Sequence, residues 1–175
     1  MTHLYLIRHA DYIYDVVDGQ YPRRDQGLSK EGIRQAELLR DRLSQTREIK
    51  PNVFISSTQR GAHETAQIIA SAIGLPIILD HDVEEWRSDD GSLSDDEFFS
   101  RWQQTPDAQK PYYRWYEGGE NRMEFTLRVH QALNRILDHY EGKTILVLSH
   151  GAVIQTSFVY FFGFGEASIE QAIPR

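Results

Sequence analysis

The chain has 175 residues, of which 40% are hydrophobic and 26% charged, as is usual for one globular domain with a sizeable core. Its formal net charge of −7 argues against a nucleic-acid surface, because nucleic-acid phosphates select basic patches. The absence of cysteine excludes disulfides, thiolate nucleophiles and cysteine metal sites, and it favours an intracellular, cytoplasmic location.

Strands and helices alternate along the sequence in the order typical of an α/β fold. Short apolar runs predict strands over 3–8, 52–57, 75–80 and 143–149. Amphipathic runs between them predict helices over 28–45, 58–74, about 95–102, 119–142 and from residue 151. We therefore expect a single domain over 1–175, a three-layer sandwich with a largely parallel central sheet, and a small cap-like insertion over about 86–119.

No segment is typical of a membrane protein. The amino-terminal stretch "MTHLYLIRHAD" has no basic leader followed by a long apolar run, which predicts the absence of a signal peptide. The apolar stretch "SFVYFFGFG" is too short to cross a bilayer. We therefore expect no membrane partner.

Three predicted strands end in residues suited to binding an anion. Arg8 and His9 follow the first strand, Arg60 comes shortly after the second, and His150 and Gly151 follow the last. Any one of them alone is more often an ordinary loop or surface residue. Ligands of α/β sheets bind beyond the carboxyl ends of strands, so the joint pattern favours a shared site. Forked arginines, helix N-termini and a glycine suit phosphate, and a neutral imidazole can attack phosphorus.

The ordered motifs along the chain resemble those of a known family. The motifs are "LIRHA", "SSTQRGAHETA", "EEW", "GGEN" and "VLSHG". Together they resemble the histidine phosphatase superfamily, also called the phosphoglycerate-mutase-like family. The resemblance runs from Thr2 to about Phe162 and includes Arg128, which matches the arginine after the Gly-Glu-Asn-like motif.

The resemblance implies a role for each strand-end residue. His9 matches the nucleophile that becomes phosphohistidine, and Arg8 and Arg60 match the phosphate-binding arginines. His150 matches the second pocket histidine, which hydrogen-bonds the transferred phosphoryl group. With Gly151 these residues form the expected substrate pocket. The resemblance implies no metal ion and no cofactor.

The resemblance also implies a proton donor for the leaving group. Glu85 matches the family's usual donor, since it lies two residues after the apolar Val83 and directly before Trp86. The adjacent Glu84 is an alternative. In an extended segment only one of two neighbouring side chains points into a pocket.

Some positions depart from the family's pattern. Mutases and several sugar-phosphate phosphatases commonly carry Arg-His-Gly-Glu-Thr followed by Asn, whereas this chain has "RHADYIYD". Ala10, Asp11 and Tyr12 replace the Gly, Glu and Thr, and Asp15 replaces the Asn. These departures favour the phosphatase branch over the mutases. The sequence also ends at "AIPR", before the family's usual last strand.

The function that we expect is therefore phosphomonoester hydrolysis through a phosphohistidine, on a small phosphorylated metabolite or a phosphoprotein. Two alternatives stay open: a phospho-ligand binding module with little turnover, and mutase-type phosphoryl transfer. The complete His and Arg set favours the enzyme, because binding alone needs no nucleophile aligned with an acid. The aromatic residues between Trp86 and Tyr116, and the loop carrying Arg23 and Arg24, are candidate walls of the substrate entrance.

Overall fold

The computed structural model describes residues 1–13, 26–88 and 93–163. The strands are β1 (His3–Arg8), β2 (Val53–Ser57), β3 (Ile77–Asp80) and β4 (Thr144–Ser149). The helices are α1 (Lys30–Thr46), α2 (Arg60–Ile73), α3 (Asp95–Gln104), α4 (Arg122–His139) and α5 (Gly151–Phe162). Within the described part of the chain, no helix is long and apolar enough to span a bilayer.

The four strands form one sheet in the order β1-β4-β2-β3, and every neighbouring pair is parallel. Arg8 lies opposite Ser149 in the first pair, and Ser57 lies opposite Asp80 in the last. All carboxyl ends therefore meet at one edge of the sheet, which confirms the predicted α/β class. The order also places the first and last strands side by side.

Helices cover both faces of the sheet, and the two cores use alternate residues of the same strands. Phe54 and Leu146 pack with α2 and with Leu43 of α1. The next residues along, Ile55 and Val147, pack with α4 on the other face. Successive strand side chains point to opposite faces, so a strand buried on both sides becomes the continuous apolar run seen in the sequence. The three-layer arrangement is thereby confirmed.

The loop after β1 is held against the amino end of α1. Ser29 caps that helix by accepting a hydrogen bond from the Gly32 N–H (3.0 Å), and its hydroxyl donates to Asp11 Oδ2 (2.5 Å). The Asp11 N–H donates to Gln35 Oε1 (2.9 Å). A Cβ on Gly32 would lie 1.7 Å from the Asp11 carbonyl oxygen, so only glycine permits this approach. These contacts fix the main chain just beyond His9.

The insertion between β3 and α4 has an aromatic interior. Trp115 is buried, and its ring lies 5.3 Å from that of Trp102 and 4.8 Å from that of Phe98, measured between centroids. Tyr113 packs on it at 4.7 Å. These side chains pack on one another. The single-domain boundary of 1–175 and the cap-like insertion at about 86–119 stay predictions.

Candidate active site

His9 and His150 are neighbours at the carboxyl edge of the sheet. Each directly follows its strand, and β1 and β4 are paired in register at Arg8 and Ser149. The His9 N–H continues this pairing by donating to the Ser149 carbonyl (2.9 Å). The two imidazole rings lie 5.0 Å apart between centroids. The geometry of a parallel pair thus brings together two residues 141 positions apart in the sequence.

The hydrogen bonding of His9 sets its tautomer. Its Nδ1 lies 2.7 Å from the Ala10 carbonyl oxygen. A carbonyl oxygen only accepts hydrogen bonds, so Nδ1 carries the proton, and Nε2 of the neutral ring keeps its lone pair. The Ala10 N–H in turn donates to Thr65 Oγ1 on α2 (3.2 Å). The orientation of His9 is therefore supported by the helix that follows β2.

His150 is buried at the amino end of α5 and is held by Ser57 at the end of β2. Its Nε2 lies 2.7 Å from Ser57 Oγ. Burial is the largest of the causes that lower the pKa of His150 to about 3; positive charge on a protonated His9, on Arg128 and on Arg8 acts in the same direction, and Glu84 acts in the opposite one. His150 is thus a neutral imidazole at neutral pH. In that form one ring nitrogen donates a hydrogen bond and the other accepts one.

Arg8 places an available positive charge beside His9. A cavity of about 200 Å³ is lined by Arg8, His9, Ala10, Asp11, Tyr12 and Gln35. The Arg8 side chain is exposed, and no residue in the three described ranges forms an ion pair or hydrogen bond with its guanidinium. A Cβ on Gly151 would lie 3.7 Å from Arg8 Nε, so the amino end of α5 is also close to this group. Both features suit an anion.

Arg60, the first residue of α2, contacts a carboxylate in this structure. Its Nε donates to Glu64 Oε1 (2.7 Å), while Glu64 Oε2 accepts from the Leu28 N–H (2.7 Å). The Arg60 side chain is 64% exposed, and it does not line the cavity beside His9. Glu64 occupies Nε, so a phosphoryl group would be bound by the terminal Nη groups once the side chain turns toward the cavity, or in place of Glu64.

Glu85 contacts the amino end of α5, next to the histidine pair. Its Oε2 accepts from the Ala152 N–H (3.3 Å), and its Oε1 accepts from the Trp86 N–H (2.8 Å). The helix end that carries His150 and Gly151 is thus in contact with the Glu85 carboxylate. The structure brings Glu85 to the same edge of the sheet as Arg8 and His9.

Glu84 faces a different set of partners. Its carboxylate accepts hydrogen bonds from Thr58 Oγ1 and from Arg87 Nη2 (2.8 Å), and it lies 3.1 Å from His81 Nδ1. Burial opposes ionisation of Glu84, but these hydrogen bonds and the Arg87 charge outweigh it and lower the pKa. Glu84 is thus held as a carboxylate, a form that has no proton to give.

Membership of a family is decided by the match along the chain. A sequence model described as "Histidine phosphatase superfamily (branch 1)" matches residues 4–173. The chain belongs to this superfamily. The family predicted from the five ordered motifs is confirmed.

Relatives of this chain carry both phosphatase and mutase names. "Probable phosphoglycerate mutase GpmB" of Yersinia pestis is 30% identical over 159 residues, which cover 88% of this chain and 72% of that protein. Among solved structures, "a putative alpha-ribazole-5'-P phosphatase" from Escherichia coli has a TM-score of 0.76 at 22% identity, covering 96% of this chain and 83% of that one. A mutant phosphoserine phosphatase from Entamoeba histolytica with phosphoserine gives 0.71 at 21% identity, covering 98% and 85%. The two structures support the fold.

Several contacts in the candidate site were not predicted from the sequence. Ser57 was not singled out, because its contact with His150 depends on β2 lying next to β4, which the sequence pattern does not reveal. The Arg60–Glu64 pair has a local signal, the spacing of four residues on one helix face. Arg23, Arg24 and Asp15 lie outside the described residues. Across 1–13, 26–88 and 93–163, no group of three or more side chains suited to a metal ion occurs.

Proposed function

We propose that this chain is a phosphomonoester hydrolase in which His9 forms a phosphohistidine. The observation that carries the proposal is the close approach of His9 and His150, 5.0 Å between ring centroids, beside the Arg8 guanidinium, which has no partner among the described residues. Nε2 of His9 holds a lone pair, since Nδ1 donates to the Ala10 carbonyl. Transfer of a phosphoryl group to histidine needs three groups: a nucleophilic nitrogen, a neutral hydrogen-bonding partner and a cation.

The reaction proceeds in two steps. In the first, Nε2 of His9 attacks phosphorus, the bond to the ester oxygen breaks, and Glu85 gives that oxygen its proton. In the second, water attacks the phosphohistidine and gives a proton to Glu85, which releases inorganic phosphate and restores the free imidazole. Glu85 is the better donor of the two glutamates, because Thr58 and Arg87 hold Glu84 in its charged form.

Charge on the transferred phosphoryl group is balanced by protein groups in this proposal. Arg8 and Arg60 supply positive charge, His150 supplies a neutral hydrogen bond, and the amino end of α5 at Gly151 supplies main-chain N–H groups. The reaction therefore needs no metal ion. We place the phosphoryl group in the cavity beside Arg8 and His9 and propose a small phosphorylated metabolite or a phosphoprotein as the substrate.

Hydrolysis of p-nitrophenyl phosphate in excess EDTA tests the function and its metal independence together. We expect equal amounts of nitrophenol and inorganic phosphate, at a rate that prolonged EDTA treatment leaves unchanged. No turnover would favour a binding module. Loss of activity in EDTA, with recovery of activity when one divalent metal is added, would contradict the metal-free mechanism. The relative named as a mutase makes phosphoglycerate interconversion the second activity to assay.

Glu85→Gln is expected to slow the hydrolysis of an alkyl phosphate by about 10²-fold or more, because an alkoxide leaves only when protonated. For p-nitrophenyl phosphate kcat/KM should stay within a few-fold, since nitrophenolate leaves without a proton. Steady-state kcat/KM for the two substrates measures the difference, because it reports the first step and not the common second step, in which Glu85 takes a proton from water. Glu84→Gln is the matched control and should affect both substrates alike. If the two variants exchange these behaviours, the donor is Glu84.

A further inference from the structure

Arg128 on α4 uses all five N–H groups of its guanidinium, and its side chain is only 12% exposed. Nη1 donates to the carbonyls of Asp82 (2.9 Å) and Glu84 (3.0 Å), and one Nη2 N–H donates to that of Glu85 (3.2 Å). Nε (3.0 Å) and the second Nη2 N–H bind the Glu120 carboxylate. Three of the five bonds therefore end on the main chain that carries both candidate acids.

The same segment is held by two further residues. Ser149 at the end of β4 donates its hydroxyl proton to the Val83 carbonyl (2.6 Å), so four consecutive carbonyls have side-chain partners. Glu120 Oε1 also accepts from the Arg87 N–H (3.1 Å), and its carbonyl accepts from Trp86 Nε1 (3.1 Å). Beyond the short 3₁₀ helix His81–Val83 the segment has no regular structure, yet its main-chain polar groups are nearly all hydrogen-bonded.

These bonds bear on which glutamate faces the histidine pair. Neighbouring side chains of an extended segment point in opposite directions, so a rotation of the main chain would exchange the surroundings of Glu84 and Glu85. Such a rotation turns the carbonyls away from Arg128. It would leave a buried guanidinium without acceptors, which is costly. Glu120 offsets the positive charge, so the carbonyls are bound without a net charge being buried.

We propose that Arg128, paired with Glu120, is the positioning residue of this enzyme, and that it holds the 82–87 segment in the orientation that presents Glu85 to the leaving group. The proposal rests on the proposed function, in which Glu85 is the donor. Arg128 touches neither substrate nor His9 in this role. Its effect should therefore appear through the proton transfers of Glu85, of which only the one to the leaving group depends on the substrate.

Arg128→Lys tests the proposal, since lysine keeps the charge and loses the fork. We expect kcat/KM for an alkyl phosphate to fall about 10-fold more than kcat/KM for p-nitrophenyl phosphate, a part of what general acid catalysis contributes. KM should stay within a few-fold for both, because the phosphoryl-binding groups lie on other elements. In the Arg128→Lys, Glu85→Gln double variant, the alkyl phosphate should lose no more activity relative to p-nitrophenyl phosphate than it does with Glu85→Gln alone. Both substitutions act on the same proton transfer to the leaving group.

Arg135→Lys is the matched control on the same helix. Arg135 binds the carboxylates of Asp80 (3.0 Å) and Asp82 (2.9 Å) and none of the main-chain carbonyls, so the ratio of the two rates should not change. Glu120→Gln is the second variant if Arg128→Lys does not fold. It removes the neutralising charge and should cause a smaller selective loss in the same direction.

Equal losses on both substrates with Arg128→Lys, or losses that add in full to those of Glu85→Gln, would show a general structural role and overturn the proposal. The Glu85→Gln variant in the same assay distinguishes failure of the positioning role of Arg128 from failure of Glu85 as the proton donor. Leaving-group dependence in Glu85→Gln but not in Arg128→Lys defeats only the positioning role. Its absence in Glu85→Gln defeats the assignment of the acid, and the positioning role with it.

Discussion

His9→Ala is expected to lower kcat on the order of 10³-fold or more, for p-nitrophenyl phosphate and an alkyl phosphate alike. The loss is equal for both because the missing group is the nucleophile, which every substrate needs whatever its leaving group. The ring of His150 lies 5.0 Å away but cannot substitute, since it is buried and hydrogen-bonded to Ser57. Steady-state kinetics on the folded variant measure the effect.

His3→Ala is the control for this change. His3 begins the same strand at the opposite edge of the sheet and is exposed, so its removal tests for an effect of altering β1 alone. We expect its kcat to match that of the unaltered chain. Normal turnover by His9→Ala, with circular dichroism showing an intact fold, would mean that phosphate is released by another route.

Arg60→Ala is expected to lower kcat by about 10²–10³-fold, the usual cost of losing one donor that stabilises charge in the transition state. In the structure its guanidinium binds Glu64. A phosphomonoester carries a charge of about −1.5 to −2 at neutral pH, and we expect it to attract the Arg60 guanidinium more strongly than the half-buried Glu64 carboxylate does. The loss should appear mainly in kcat, because the interaction strengthens as charge builds on the phosphoryl oxygens.

Arg34→Ala is the matched control for Arg60→Ala. The two side chains are 61% and 64% exposed, and each pairs with a glutamate one helical turn away. An ion pair of this kind contributes little to stability, so neither change should unfold the protein. Only Arg60 lies at the carboxyl edge of the sheet. Equal activity of the two variants, within a few-fold of the unaltered chain, would make Arg60 an ordinary surface residue.

The strands were predictable because burial on both faces of a parallel sheet leaves an uninterrupted apolar run, as in "TILVLS" of β4. Helix α2 was predicted to begin at residue 58 but begins at Arg60, since Gln59 still has extended main-chain angles. Boundaries of this kind depend on local geometry that hydrophobic periodicity does not specify. The order of the strands was likewise not predictable, because it depends on crossovers rather than on local pattern.

In the candidate site, too, some features were predictable from the sequence and others were not. Arg8, His9 and His150 stood out because polar residues at the ends of buried strands are unusual and because the motifs have a family resemblance. The contacts of Ser57 and Glu120 did not stand out, because each joins elements far apart in the sequence. Tertiary hydrogen bonds of that kind follow from the packed fold and leave no periodic signal.

Trapping the phosphorylated enzyme tests the central claim most directly. The chain is mixed with a radiolabelled aryl phosphate and quenched within one turnover, and the labelled peptide is identified. We predict an adduct on His9 that is labile in acid and stable in base, that forms as fast as the nitrophenol burst, and that is absent from His9→Ala. Release of phosphate with no label on His9 at any quench time, or with label on another residue, would contradict the mechanism.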